Sequence, residues 1–95
     1  VAYAPEALDD LIGIYDWIST AASPDVALNY VERIETFCER LAFASERGTR
    51  RDDVRPGLRV IGFERRVSVA FVVEADRVAV LRIAYAGRNW TELVS

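Results

Sequence analysis

Histidine and lysine are both missing from this 95-residue chain, and cysteine occurs once. Each absence removes a class of chemistry. Without histidine there is no Ser–His or Cys–His nucleophile pair and no ordinary zinc site. No glycine-rich phosphate loop is present either, so neither a metal nor a cofactor is expected. The lone Cys38 cannot close an intramolecular disulfide, which fits a reducing cytoplasm. It stands on the apolar side of a helical pattern and reads as a small core hydrophobe rather than a nucleophile. No apolar run approaches the length that spans a bilayer, and the first residues lack the charged-then-apolar pattern of a secretory signal. A cytoplasmic location and no membrane partner are the expectation.

What is present is an ordinary globular composition, 52% hydrophobic and 28% charged, with enough chain for one core and too little for two. All twelve basic residues are arginine, and they are unevenly placed. Residues 1–46 carry nine acids against Arg33 and Arg40, a balance of −7. Residues 47–66 carry seven arginines against Asp52, Asp53 and Glu64, a balance of +4, and the remainder is neutral. Such a dipolar chain suits a protein partner with its own charge pattern better than nucleic acid, which selects for broad positive charge. No direct nucleic-acid contact is expected.

The periodicity changes once along the chain. After a short apolar lead-in, Val1–Tyr3, which can add an edge strand, Pro5 occupies a position that a first helical turn tolerates. Leu8, Leu11, Ile12, Tyr15 and Ile18 then recur at helical spacing, with Ile14 and Trp17 widening the apolar face and Asp9, Asp10 and Asp16 opposite. A helix over residues 5–20 follows. Ser23-Pro24-Asp25 restarts the pattern with an N-cap serine, a first-position proline and an acid in the first turn. Ala27, Tyr30, Val31, Ile34, Cys38 and Leu41 predict a second helix reaching Ala44, and the short link requires an antiparallel helical hairpin. From Leu58 onward the pattern is that of strands: Leu58–Phe63, Val67–Val73 and Val78–Ala84, joined by hairpin-length links into an antiparallel meander. Gly87–Leu93 reads as a turn and a short helix. The prediction is one α+β domain over residues 1–95.

Among charged residues, Arg82 interrupts an apolar strand, so it must face a groove or find a carboxylate, since an unpaired buried charge costs several kcal/mol. The acids of the two helices are spaced as solvated faces. Arg47, Arg50, Arg51, Arg55, Arg59, Arg65 and Arg66 form either an anion-recognising face, using arginine's planar fork, or a soluble surface neutralised by nearby acids. Trp17 reads as core, and Trp90 as either packed or an interface anchor.

Three motifs in order carry a family resemblance. Tyr3-Ala4-Pro5-Glu6-Ala7 with Asp10-Leu11 and Ile14-Tyr15-Asp16-Trp17-Ile18 resembles the opening of ParE-type toxins, an S/T-P-E-A-x-x-D-L-x-x-I-Y-x-Y/W-I pattern. Arg55-Pro56-Gly57-Leu58-Arg59 is similar to their R-P-G-L-R segment, and Val80-Leu81-Arg82-Ile83 with Tyr85–Trp90 to their I-L-R-V/I-L-x-G-x-R-D/N ending. Ala4 departs from the usual capping serine or threonine, and Glu64-Arg65-Arg66 stands where the family often has G-R-Y.

The resemblance implies the ParE/RelE toxin superfamily of type II toxin–antitoxin systems, ParE-like branch: a bacterial toxin held in a hetero-oligomer by a ParD-like antitoxin. The antitoxin's C-terminal segment folds along the toxin, and the over-wide apolar face of the hairpin suits an amphipathic helix. Leu11, Tyr15, Ile18, Tyr30 and Ile34 are the candidate antitoxin contacts. ParE toxins are associated with inhibition of DNA gyrase by binding, whereas RelE-branch relatives cleave mRNA in the ribosome. Target contacts are expected at Arg59, Arg65, Arg82, Arg88, Trp90 and Leu93. A nuclease would instead assemble Arg59, Glu64, Arg65, Arg82 and Tyr85 into a base, phosphate-binding cations and an acid. The lack of histidine and lysine and the net charge of −3 favour a binder. A non-toxic protein-binding module is the remaining alternative.

Overall fold

Strand β1 (Ala2–Tyr3) runs directly into helix α1 (Pro5–Ala21), and a two-residue link leads to α2 (Pro24–Arg40). The computed structural model describes residues 1–43 and 46–85. The two helix starts differ as their sequences require. Ser23 is extended and its hydroxyl accepts a hydrogen bond from the Val26 amide at 3.2 Å. Ala4 is also extended but has no side chain to cap with, and α1 begins on Pro5 alone. The second helix stops at Arg40, short of the expected Ala44. Leu41, Ala42 and Phe43 turn tightly, each amide bonding the carbonyl three residues back, which uses up the terminal acceptors of α2. Ala44 itself, like the predicted turn and helix over Gly87–Leu93, lies outside the described residues.

Strands β2 (Thr49–Arg50), β3 (Leu58–Phe63), β4 (Val67–Val73) and β5 (Val78–Tyr85) complete a five-stranded sheet in the order β1-β5-β4-β3-β2. The meander β3-β4-β5 is antiparallel as its hairpin links dictate, and β2 pairs antiparallel with β3. Only β1 is parallel to its neighbour β5, with Tyr3 opposite Val80 and the Ala4 amide extending the pairing to the Val80 carbonyl. The lead-in residues therefore do add an edge strand, and the architecture is α+β with a mixed sheet.

One face of the sheet carries the helices. Val67, Val69 and Phe71 alternate inward along β4, meeting Ala7, Leu11 and Ile14 of α1 and Tyr30, Ile34, Cys38 and Leu41 at α2 in one core. Phe71, Ile34 and Val69 are fully buried. Aromatic rings line the interface, in edge contacts for Trp17 with Tyr85 at 4.7 Å, Tyr85 with Tyr30 at 5.8 Å and Tyr30 with Phe63 at 6.0 Å, and tilted for Phe63 with Phe37 at 5.0 Å. Trp17, read from sequence as core, is half exposed at the outer end of this row.

The turns follow from their residues with one exception. Pro56-Gly57, with Gly57 at φ 80° and the Leu58 amide bonded to the Arg55 carbonyl, is the turn that a Pro-Gly pair forms. Glu64 and Arg65 also have positive φ, 50° and 62°, in the β3–β4 hairpin where glycine or asparagine is the usual choice. Each costs about 1–2 kcal/mol relative to an unstrained backbone. Glycine at Arg65 relieves that strain but adds chain entropy on unfolding. Arg65→Gly is expected to stabilise the fold by about 0.5–1 kcal/mol, read as a higher urea midpoint at unchanged slope.

Cys38 is fully buried in the core, and the partly buried Tyr3 packs against that core. Burial pushes the Cys38 thiol from its ordinary value near 9.0 up to about 12, and burial likewise raises the Tyr3 hydroxyl, which lies near that thiol and has no strong hydrogen-bond partner. A folded pKa above the unfolded one means stability that is complete below about pH 9 and falls as pH rises toward 12. The expected loss is about 1.4 kcal/mol per pH unit for the thiol alone. Urea midpoints at pH 7 and pH 10.5 should differ more for the wild type than for Cys38→Ala, and a disulfide reagent should label Cys38 only on unfolding.

Candidate functional site

Two stripes run along α1. Ala7, Leu11 and Ile14 face the sheet and are buried. Leu8, Ile12 and Tyr15, offset by one residue, form the next stripe and open outward; Leu8 is 48% and Ile12 60% exposed. With Val31 of α2 they line a groove over the hairpin seam, with Leu11 at its floor and Glu35 on its rim; the space is about 420 Å³. Exposed leucine and isoleucine at i and i+4 on a helix already packed on its other side leave apolar surface that nothing in the described residues covers.

The sequence-predicted antitoxin residues divide accordingly. Tyr15 and Ile18 are half-buried and remain accessible. Leu11, Tyr30 and Ile34 are 6%, 8% and 0% exposed and belong to the internal core. Leu8, Ile12 and Val31, which sequence reasoning had not chosen, make the open wall instead. Spacing separates positions 8, 12 and 15 from 7, 11 and 14 as two stripes but does not say which of them meets the sheet.

On the far side of α1 the sheet edge is closed by an ion pair. Asp10, expected on a solvated face, is buried, with its side chain 4% exposed. Its carboxylate accepts two hydrogen bonds from Arg82, from Nε and Nη2 at 2.8 Å each, and a third from the Ile83 backbone amide at 2.9 Å. Arg82 thus finds the carboxylate its place in an apolar strand demanded. The same contact satisfies an amide of β5 at a point where β1, only two residues long, no longer pairs with it. The carboxylate holds the Arg82 guanidinium above its ordinary range.

Arg59, Glu64 and Tyr85 are each engaged elsewhere. Arg59 donates to the Glu46 carbonyl at 2.8 Å, and Glu64 pairs with Arg33 of α2, whose guanidinium also lies over the Tyr30 ring. Tyr85 packs on Trp17 and Tyr30. Register separates the two strand arginines: Arg59 is paired with Phe71 and Arg82 with Ala70, neighbours that face opposite sides of the sheet. Arg65 is exposed at the β3–β4 turn with no ion-pair partner among the described residues. Arg88, Trp90 and Leu93 lie outside the described residues. Among the described residues no group of histidine, cysteine and carboxylate side chains is placed to hold a metal ion, and no helix is long and apolar enough to cross a membrane.

A family model, the ParE toxin of the type II toxin–antitoxin system parDE, matches residues 1–90. The chain belongs to the ParE toxin family. A solved structure of the chromosomal ParDE toxin–antitoxin system from P. aeruginosa is similar, with a TM-score of 0.77 and 29% identity over 90% of this chain and 92% of that one. No curated protein sequence matches. The hairpin packed on one face of the sheet is therefore a ParE toxin fold, and membership of a toxin–antitoxin system implies an antitoxin partner.

Proposed function

We propose that this ParE toxin arrests growth by binding DNA gyrase, and that a ParD-like antitoxin neutralises it in the cytoplasm by laying an amphipathic helix into the outer hairpin groove. The observation that carries the choice of a binder over a nuclease is the separation of the would-be catalytic groups. Arg82 is bound to Asp10, Glu64 to Arg33 and Tyr85 to two aromatic rings, while Arg59 leaves the sheet on the other face from Arg82. A phosphodiester-cleaving site needs its cations and proton carriers within reach of one phosphate. Target contact then falls first to Arg65, exposed on its strained turn, and next to Arg59, half-exposed at the far end of β3.

The groove suits an antitoxin helix because its exposed side chains are large, aliphatic and spaced as one stripe, the arrangement an i, i+3/i+4 partner stripe fills. The test is a supercoiling assay with purified gyrase. Micromolar toxin should inhibit supercoiling or trap cleaved DNA, and preincubation with the antitoxin encoded beside it should restore activity. Uninhibited gyrase together with cut mRNA in a translation reaction would replace this reading with the RelE-like one. Normal growth on induction of the toxin alone would replace it with a non-toxic binding module.

A further inference from the structure

A second cavity, separate from the hairpin groove, lies where α1 crosses the end of β5. Its volume is about 500 Å³, within the range of small-ligand sites (about 300–1,000 Å³), and its surface is mostly apolar. Ile14 and Ile83 form its inner wall, Trp17 and Tyr85 meet edge to face along one side, and Asp9 stands at the acidic rim.

Two features of this cavity have no explanation within the described chain. The first is Gly13. It sits in the middle of α1, where glycine costs about 0.5–1 kcal/mol relative to alanine. Its backbone is not in a glycine-only conformation, and a side chain built there meets nothing within 4 Å. Among the described residues no contact requires its bareness, which keeps this wall of the cavity open. The second is the charge. Arg82 is bound by Asp10, yet Glu6 and Asp9 also lie close enough to add to the negative field at its guanidinium. Asp10 takes up the Arg82 guanidinium, and Asp9 lines the cavity as a further carboxylate. Asp9 and Glu6 are exposed and make no hydrogen bond or ion pair among the described residues. An apolar, aromatic-walled cavity with an excess of negative charge at its mouth is complementary to a long cationic side chain, whose methylenes bury against the wall while its head meets ring faces and carboxylate.

We propose that this cavity is the slot for an arginine or lysine side chain of the antitoxin, entering over Gly13 to lie against Trp17 with its charge at Asp9. The proposal rests on the toxin–antitoxin reading above and adds to it the chemistry of one contact. It makes the antitoxin segment that covers α1 locally basic, in keeping with the −7 balance of residues 1–46. The same chemistry excludes a phosphate backbone from this side of the molecule.

Two experiments test it, and they fail separately. The first uses the toxin alone, as Trp90→Phe so that Trp17 is the remaining indole. N-acetyl-argininamide should shift the Trp17 emission saturably at millimolar concentration, the effect weakening about fivefold in Asp9→Asn; the uncharged isostere N-acetyl-citrullinamide should not shift it. Equal responses to the two compounds would overturn the cationic slot. The second measures affinity for the neighbouring antitoxin. Asp9→Lys should weaken binding about thirtyfold and Gly13→Leu about tenfold, while the melting temperature of Gly13→Leu stays at or above that of the wild type. Wild-type affinity in both variants would sink the slot and leave the antitoxin reading intact. No binding by wild-type toxin would sink that reading, with the argininamide response still deciding whether the slot binds cations. A toxin that dimerises by itself, and loses this in Asp9→Lys, would give the slot to a second copy and overturn the antitoxin assignment.

Discussion

Asp10→Ala is expected to destabilise the toxin by about 3 kcal/mol, the lower end of the range for breaking a buried ion pair. The lower end applies because the Arg82 side chain keeps 18% of its exposure and can recover some hydration. Three losses coincide in this one substitution. The guanidinium loses both of its bonds to Asp10, the Ile83 amide loses its acceptor, and α1 loses its polar link to the sheet edge. Small domains have total stabilities of about 5–15 kcal/mol, so this is a large share, equivalent to a melting temperature lower by about 15 °C. Asp10→Asn retains the shape and one acceptor and should fall between. Pairing Asp10→Leu with Arg82→Met should recover more than half of the loss, because two matched apolar groups replace an ion pair without leaving a charge behind. Urea denaturation of the wild type, Asp10→Leu, Arg82→Met and the paired variant measures the cycle, with Asp10→Ala and Asp10→Asn alongside. An Asp10→Ala protein within 1 kcal/mol of the wild type would mean that the buried pair contributes little and that Arg82 is available for other work.

The largest functional effect is expected at the outer groove. Ile12→Asp places a carboxylate in the centre of the apolar stripe, beside Glu35 on the rim, and should weaken antitoxin binding by about a hundredfold or more. Folding should be untouched, since Ile12 is 60% exposed and no member of the core rests on it. The cellular consequence is distinctive. The variant should remain toxic and no longer be rescued by the antitoxin, whereas a misfolded protein would be harmless with or without it. Leu11→Asp is the informative contrast: Leu11 lies at the floor of the groove but belongs to the core, so that substitution should abolish toxicity together with binding. Calorimetric titration and a paired induction assay separate the two outcomes. Wild-type affinity in Ile12→Asp would move the antitoxin site away from the hairpin.

The helices and central strands were legible because their signals are local. Pro5 and Ser23-Pro24-Asp25 mark helix starts through backbone chemistry that acts within one turn, and the change from helical to strand periodicity at Leu58 reflects which side chains can share a face. The second helix ended early at Arg40 for a reason that periodicity does not carry. Leu41 is buried and keeps the pattern going, yet its backbone has already entered the closing turn. Asp10 was the largest misreading. Its charge groups it with Asp9 and Asp16, whereas its spacing, three residues after Ala7 and four before Ile14, puts it on the buried stripe, where its partner lies 72 residues away. The groove residues failed in a related way. Leu11 and Ile12 look equally apolar in the sequence, and which of them meets the sheet depends on the rotation of α1 about its axis.

The sequence by itself determined the hairpin, the meander, the uneven charge and the absence of histidine and lysine, because these depend on composition and on neighbours a few residues apart. It also required that Arg82 find a carboxylate, since a charge in an apolar strand has few other options. The tertiary structure alone decided which carboxylate, which apolar stripe stays open, and on which side of the sheet each arginine emerges. Those are fixed by strand register and helix rotation, where a single-residue shift carries a side chain from core to surface.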